Sequence, residues 1–390
     1  MCCTGIVINH FHTYIVFRAI QAKEMSGCPF SCRDIGASFR KDPIMLYEFA
    51  PMEGLTTWYF RQLHHTFFGG AARYYTPFLS ANQNLSFQSR EKAEIAPEHN
   101  QGITLVPQIM TNRADEFVWA IRYLEERGYQ ETDLNLGCPA SQVVNRKKGS
   151  GFLENPDALD RFFEETFSLL SKQDAHVRIS VKTRIGYHSP SEADGLLRIY
   201  NRYPLSEVII HPRTRKEYYK GTPHRDVFRK MLEESVNPVC YNGDLHSAED
   251  CRALMREFPA DRYPKLKGIM IGRGLLADPA LFRELQGGSA LTEAECRSFT
   301  DALYQNYRAA IDGGDLNILH KMKEMWTYLG TGFVGKDGSR QTAERALRDI
   351  LKTNSLTGYQ IAVDNFFALC RRIPPQLCCQ KTSIAGECRR

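Results

Sequence analysis

The stretch ADEFVWAIRYLEERGYQETDLNLGCP, residues 114–139, decides the fold. Its first part carries an acid in the first turn, Asp115, runs with helical periodicity to Arg127 and stops before Gly128, the usual start and stop chemistry of a helix. A short strand, 132–137, follows at once and ends in Gly137-Cys138-Pro139, a tight turn. Working outward, the same alternation of short apolar runs and longer amphipathic segments holds from Ile44 onward, the pattern of strands and crossover helices in a parallel sheet. The expected strands are 44–52, 73–79, 103–110, 132–137, 178–185, 207–213, 238–244 and 268–274. Asn155-Pro156-Asp157 opens a further helix, and the polar stretch 80–102 is either an extra helix or a long loop.

Eight strands within roughly 250 residues match a closed (β/α)8 TIM barrel better than an open doubly wound sheet. No Gly-x-Gly-x-x-Gly follows the first strand, which removes the main argument for a Rossmann dinucleotide site. After Gly287-Gly288 the periodicity becomes helical to about Arg372, and Pro374-Pro375 leads into a cysteine-containing tail. The expected organisation is an α/β barrel over 44–288 and a small all-helical C-terminal domain over 289–375. A loosely attached extension, 1–43, and a tail, 376–390, flank them.

A chain of 390 residues with 43% hydrophobic side chains can bury a large core, which excludes global disorder. Its 50 lysines and arginines against 45 acids leave a charge of +5, which permits a nucleic-acid partner without implying one. The 12 cysteines are scattered and none forms Cys-x-x-Cys, so reduced thiols are expected. Cys28 and Cys32, with Cys2 and Cys3 upstream, lack a second ligand pair, and no metal is expected. The apolar stretch 6–20 is broken by Asn9, His10, His12 and Arg18, too short for a membrane span. With no signal-peptide pattern before Ser26, a cytoplasmic protein without a membrane partner is expected.

Barrel active sites sit where the strands end, so polar residues there are candidates. Gln108 ends the third strand, Asn135 and Cys138 the fourth, Lys182 and Arg184 the fifth, and His211 and Arg213 the sixth. Asn242-Gly243-Asp244 and Gly272-Arg273-Gly274 end the last two. Singly, a glutamine can satisfy a loop backbone, a histidine can be a bonded core residue and Asn-Gly can be an ordinary turn. Gathered at one mouth, such groups cost desolvation unless a ligand or water satisfies them. The glycine-bearing ends come after strands seven and eight, where this fold often binds phosphate, and Arg273 adds a charge-assisted contact. Lys182 suits an electron-rich ring that gains negative charge on reduction. A flavin mononucleotide fits both features. Cys138 is held rigidly by its turn, and its thiol can serve as proton donor or as nucleophile.

Ala50-Pro51-Met52-Glu53-Gly54, Asp133-Leu134-Asn135-Leu136-Gly137-Cys138-Pro139, Val181-Lys182-Thr183-Arg184 and Asn242-Gly243-Asp244 resemble the tRNA-dihydrouridine synthases. The Asn-x-Gly-Cys-Pro element is the most specific, and the similarity runs in order from about Leu46 to Leu285. Lys321 to Tyr328 looks like the helical RNA-binding part. The resemblance implies reduction of the C5–C6 bond of uridine in tRNA by FMN hydroquinone, with NADPH as electron donor. Hydride would pass from flavin N5 to C6, and Cys138 would protonate C5. It implies FMN contacts from Pro51, Met52, Gln108, Lys182, Asn242, Gly243, Gly272 and Arg273, with Glu53, His211 and Asp244 beside them. Asn135, Arg184 and His211 would lie near the uracil or the flavin. A uridine leaving its stack needs a basic rim, which Arg146, Lys147, Lys148, Arg213, Arg215, Lys216 and Lys220 can supply, with Lys321, Lys323 and Arg345 in the helical part. Tyr218 and Tyr219 are placed to stack on an extruded base. The sequence departs from the family where Pro212 follows His211, a position often held by glycine, and in its N-terminal extension. Two competing readings are another FMN barrel reductase acting on a small molecule and a catalytically idle RNA-binding barrel.

Overall fold

Along each strand of a closed barrel alternate side chains face inward, so the strand sequences dictate what fills the interior. The computed structural model describes residues 45–373 except 83, 174–175 and 311–313. The extension 1–43 and the tail 376–390, with Cys2, Cys3, Cys28 and Cys32, lie outside the described residues. The strands are β1 (Leu46–Phe49), β2 (Arg73–Tyr75), β3 (Leu105–Val106), β4 (Gln108–Ile109), β5 (Glu131–Leu136), β6 (Arg178–Gly186), β7 (Glu207–Thr214), β8 (Val239–Asn242) and β9 (Leu266–Ile271). β3 and β4 are halves of one expected strand, parted at Pro107, whose nitrogen has no hydrogen to give to a ladder. The bonded order β3-β2-β1-β9-β8-β7-β6-β5-β4 begins and ends on those two halves, and every pairing in it is parallel. The sheet therefore closes through Pro107, and the chain is a (β/α)8 barrel followed by a helical C-terminal region, as the sequence predicts.

The helix read at 114–127 spans Ala114–Glu125 and buries Phe117, Ile121 and Leu124 on one face. The ambiguous stretch 80–102 contains a short helix, Ser89–Glu94, and a 3-10 turn, Pro97–His99. Glu91 organises it by accepting from the backbone N–H groups of Ser80 (2.9 Å) and Gln88 (2.8 Å). The stretch is tied to the first barrel helix, Trp58–Phe67, by Arg61, which is fully buried. Its guanidinium donates to Glu94 Oε2 at 2.8 Å, to the carbonyls of Thr56 (2.9 Å) and Glu94 (2.7 Å), and to Asn100 Oδ1 (2.9 Å).

At the N-terminal end of the barrel Arg73 lies 3.3 Å from Glu48, 3.5 Å from Glu131 and 3.2 Å from Glu207. Burial raises the Glu48 carboxyl and, with Glu48 beside it, pushes that of Glu207 well above the carboxylate range, and Arg73 offsets this only partly. Above this floor an apolar layer of Ala50, Tyr75, Val106, Ile209, Cys240 and Met270 seals the centre.

The C-terminal helices are Glu293–Ala310, Asp315–Leu329, Arg340–Lys352 and Leu356–Leu369. They are not the whole of this region: Phe333–Gly335 and Cys370–Arg372 form a two-stranded antiparallel ribbon that an all-helical reading omits. Its Phe333 packs at 5.0 Å on Phe366, so the ribbon forms to complete the helical core. An aromatic seam joins helices and barrel, with Phe299 at 5.4 Å from Phe60 and 5.2 Å from Phe68. Among the described residues no helix is long and apolar enough to cross a membrane.

Removing one partner of a buried ion pair leaves the other charge unpaired. Arg61→Met is therefore expected to destabilise the protein by about 3–5 kcal/mol, read from urea unfolding; a loss below about 1 kcal/mol, the scale of an exposed pair, contradicts the role given to Arg61.

Candidate active site

The C-terminal ends of the strands surround a cavity of about 380 Å³. Pro51, Met52 and Glu53 enter it after β1, Gln108 from β4, Asn135 from β5, and Cys138 from the turn beyond. Lys182 and Arg184 enter from β6 and His211 from β7. Asn242 ends β8, with Gly243 and Asp244 following it, and Gly272 and Arg273 follow β9. The strand-end residues singled out in the sequence thus converge on one space, apart from Arg213. Residues that strand-end reasoning missed also line it: Pro77 and Phe78, His246, and Glu324 and Tyr328 from the helix Asp315–Leu329. The last two stand four residues apart, so they share a helix face, but only tertiary packing brings that face to the mouth.

The turn carrying Cys138 is fixed from several sides. Asn135 Oδ1 accepts the backbone N–H groups of Gly137 (3.1 Å) and Cys138 (3.0 Å). Arg184 Nε donates to the Gly137 carbonyl at 2.8 Å, and Ser150 donates to the Cys138 carbonyl through its backbone N–H (3.1 Å) and its hydroxyl (2.8 Å). Gly149, at φ +56°, lets the loop pass; a Cβ there would lie 2.9 Å from the Cys138 carbonyl oxygen. Beneath the turn a chain of side-chain bonds crosses the barrel. Asn135 Nδ2 donates to Gln108 Oε1 (2.7 Å), Gln108 Nε2 donates to Asp133 Oδ2 (2.6 Å), and Ser180 Oγ donates to Asp133 Oδ1 (2.9 Å).

Burial sets the protonation states. It pushes the Cys138 thiol up, against smaller opposing pulls from an Ala140 backbone bond and Arg184, so the sulfur carries its proton at neutral pH. Burial, with Arg184 beside it, lowers Lys182 to about 8, which leaves it mostly charged at pH 7. His211 falls well below its usual range through burial and then through Arg184, Lys182, Arg213 and Arg273, so its ring is neutral. The mouth combines a protonated thiol, a neutral imidazole and a cationic amine in one water-restricted space. It can therefore hold an electron-rich or anionic group and deliver a proton beside it.

The basic residues expected on the rim divide. Arg146 is exposed, with no ion pair among the described residues, while Lys147 pairs with Glu154 at 2.6 Å and Lys148 lies 3.7 Å from Glu116. Arg215 is half-buried, its guanidinium 4.8 Å over the Tyr218 ring. Arg213 is not on the rim. It is fully buried and donates to the carbonyls of Lys220 (3.1 Å) and Gly221 (2.6 Å) and to both oxygens of Asp244. Its position alternates inward along β7, and burying its charge without those acceptors would be costly. Although burial opposes it, this pairing holds the Asp244 carboxyl below its usual range, and Arg273 donates to the same carboxylate at 2.6 Å. Lys321 likewise turns inward, its ammonium donating to the Gly54 carbonyl at 2.9 Å and so tying the helical region to the loop after β1. Tyr219 lies at the opening, 42% exposed, with Arg273 4.7 Å and Arg184 5.4 Å from its ring centre.

The family model for dihydrouridine synthase (Dus) matches residues 48–360, from β1 into the last helix. The chain is 29% identical over 253 residues to tRNA-dihydrouridine synthase B of Pasteurella multocida, covering 65% of this chain and 71% of that protein. It is 28% identical over 330 residues to a probable tRNA-dihydrouridine synthase of Rhizobium leguminosarum bv. phaseoli, covering 80% and 97%. To tRNA-dihydrouridine synthase B of Shewanella oneidensis it is 28% identical over 239 residues, covering 61% and 70%. With most of its length matched and the Cys138 turn seated in the barrel mouth, the chain belongs to the dihydrouridine synthase family.

Proposed function

We propose that the protein is a tRNA-dihydrouridine synthase, a flavin-dependent oxidoreductase that reduces the C5–C6 bond of a tRNA uridine in the cytoplasm. The observation that carries this reading is a thiol kept protonated by burial at the same cavity mouth as Lys182, Arg184 and a neutral His211.

The cavity fits FMN. Its volume falls in the range of about 300–1,000 Å³ typical of small-molecule sites, and two glycines let the strand ends that line it pack closely. A Cβ at Gly272 would come within 3.3 Å of both Ala50 Cβ and Met52 Sδ, and one at Gly243 within 3.3 Å of His211. Pro51, Met52, Glu53, Gln108, Lys182 and His211 would hold the ring system, and Asn242, Gly243, Asp244, Gly272 and Arg273 the phosphate-bearing end. FMN reduced by NADPH supplies the hydride equivalent when bound. Lys182 brings a positive charge to the ring, and His211, whose Nε2 accepts from Arg213 at 3.2 Å, is left with its Nδ1–H as a neutral donor. Cys138 delivers the proton to C5 from a position fixed by Asn135, Arg184 and Ser150. Arg184 works as a brace, because its guanidinium is engaged by the carbonyls of Gly137, Thr214 and Tyr218.

On the macromolecular side, Arg146 and Arg215 meet the RNA backbone and Tyr219 meets the turned-out base, while Lys147 and Lys148 reach RNA only by leaving their carboxylate partners. Residues 289–375 act as the tRNA-holding domain, with Lys321 setting how it sits on the barrel rather than binding phosphate itself. Glu324 and Tyr328 carry that domain into the mouth, an arrangement a reductase of small molecules has no need of.

Cys138→Ala is expected to retain FMN while losing about 10²- to 10⁴-fold in dihydrouridine formation, the usual contribution of a general acid; mass spectrometry of digested tRNA reads the product, and undiminished turnover removes Cys138 from the reaction. Arg146→Glu is expected to weaken tRNA binding and to reduce the slope of log affinity against log salt by about 1 or more. Equal affinity at every salt concentration makes Arg146 ordinary surface.

A further inference from the structure

Asp133 is buried completely in the barrel and touches no ligand-facing space, yet it stands at the origin of the hydrogen-bond chain that ends on the Cys138 turn. Such a chain has a direction. A carboxylate only accepts, so Gln108 must present its Nε2 to Asp133 and its Oε1 to Asn135. Asn135 must then present Nδ2 to Gln108, which leaves its Oδ1 for the N–H groups of Gly137 and Cys138. Reversing the first link reverses the rest: a donor at position 133 can turn Gln108 over, Asn135 follows, and its Nδ2 is driven against two backbone N–H groups that need an acceptor.

We propose that Asp133, as a carboxylate, is a positioning residue that sets the direction of the Gln108–Asn135 chain and so holds the turn carrying Cys138. The inference rests on the reading of Cys138 as proton donor only in its kinetic consequence; the hold on the turn is independent of it. Asp133 is poorly placed for stability. Burial raises its carboxyl to about 7, opposed by the donors Gln108 and Ser180 and by Lys182, with Glu131 adding to the rise. Tyr75, whose phenol is itself driven well up by burial and by Glu48, Glu207 and Asp133, also faces it. Because the folded-state pKa lies above the unfolded one, protonation favours the fold. That contribution is complete below the unfolded pKa and is lost as pH rises through about 7. At higher pH the fold bears a buried charge whose return, on this account, is the ordered turn.

The test uses the flavin-loaded protein and two variants. Asp133→Asn keeps the shape but removes the charge and lets either amide direction form, and Ser180→Ala removes one donor that favours the carboxylate. For Asp133→Asn we expect amide exchange at Gly137 and Cys138 to speed up by about tenfold, the scale of one hydrogen bond, while the thermal midpoint at about pH 8 is unchanged or higher. In the wild type, dihydrouridine formation should fall as pH drops through about 7. That limb should move to higher pH in Ser180→Ala and vanish in Asp133→Asn, and the limb from loss of the Lys182 charge, on the alkaline side near 8, should persist in both. Unchanged exchange at the two amides, or an Asp133→Asn enzyme that keeps the wild-type acid limb, overturns the proposal. If Asp133→Asn is less stable as well as slower, Asp133 is a structural residue and the proposal also fails. Faster exchange in a protein that makes no dihydrouridine preserves the relay and rejects the proposed function instead.

Discussion

A closed parallel barrel assigns every second side chain of each strand to an interior that opens only at its mouth, and each polar group placed there must find a partner or a ligand. This chain places carboxylates, amides, a lysine, arginines and a histidine on those inward positions. Much of the structure is the consequence. At the floor three glutamates surround Arg73. In the centre six apolar side chains separate that floor from the mouth. Above them Asp133, Gln108 and Asn135 satisfy one another in sequence, and the last acceptor of the series fixes Cys138. The Cys138 turn is positioned by the same accounting that makes the barrel foldable.

The strands were legible because alternating short apolar runs survive even where the inward side chain is polar. The parting of the third strand was less so: Pro107 stands in plain view, but whether a proline interrupts a ladder or bridges two halves depends on neighbours distant in sequence. The mouth residues could be read because barrel geometry makes strand ends chemically special. Arg213 and Lys321 were misread for a common reason: a charged side chain names a chemistry and not a direction. Arg213 faces inward on β7 to Asp244, and Lys321 meets the Gly54 carbonyl, 267 residues away in sequence. Glu324 and Tyr328 carried only a helical spacing, and on their own helix Lys321 bonds the Gly54 carbonyl in the loop after β1, which borders the cavity they line.

Arginines provide much of the internal bracing. Arg61 joins the first barrel helix to the stretch before β3, Arg184 joins the Cys138 turn to the loop after β7, and Arg213 joins that loop to Asp244. Each offers several donors in a planar fork, which suits the capture of backbone carbonyls that loops leave unpaired. Of the cationic groups lining the cavity, Arg184 is engaged by backbone carbonyls and Arg273 by Asp244, which leaves Lys182 without an ion pair among the described residues.

The central claim is that this cavity holds a flavin and uses it on a uridine of tRNA. The most direct measurement is the dihydrouridine content of tRNA from a strain lacking such synthases, after incubation with the purified protein, FMN and NADPH. The account predicts a yellow protein and new dihydrouridine that depends on NADPH. A yellow protein that oxidises NADPH while the tRNA stays unmodified would contradict it in favour of a small-molecule reductase, and a colourless protein that cannot be loaded with FMN would contradict the flavin site itself.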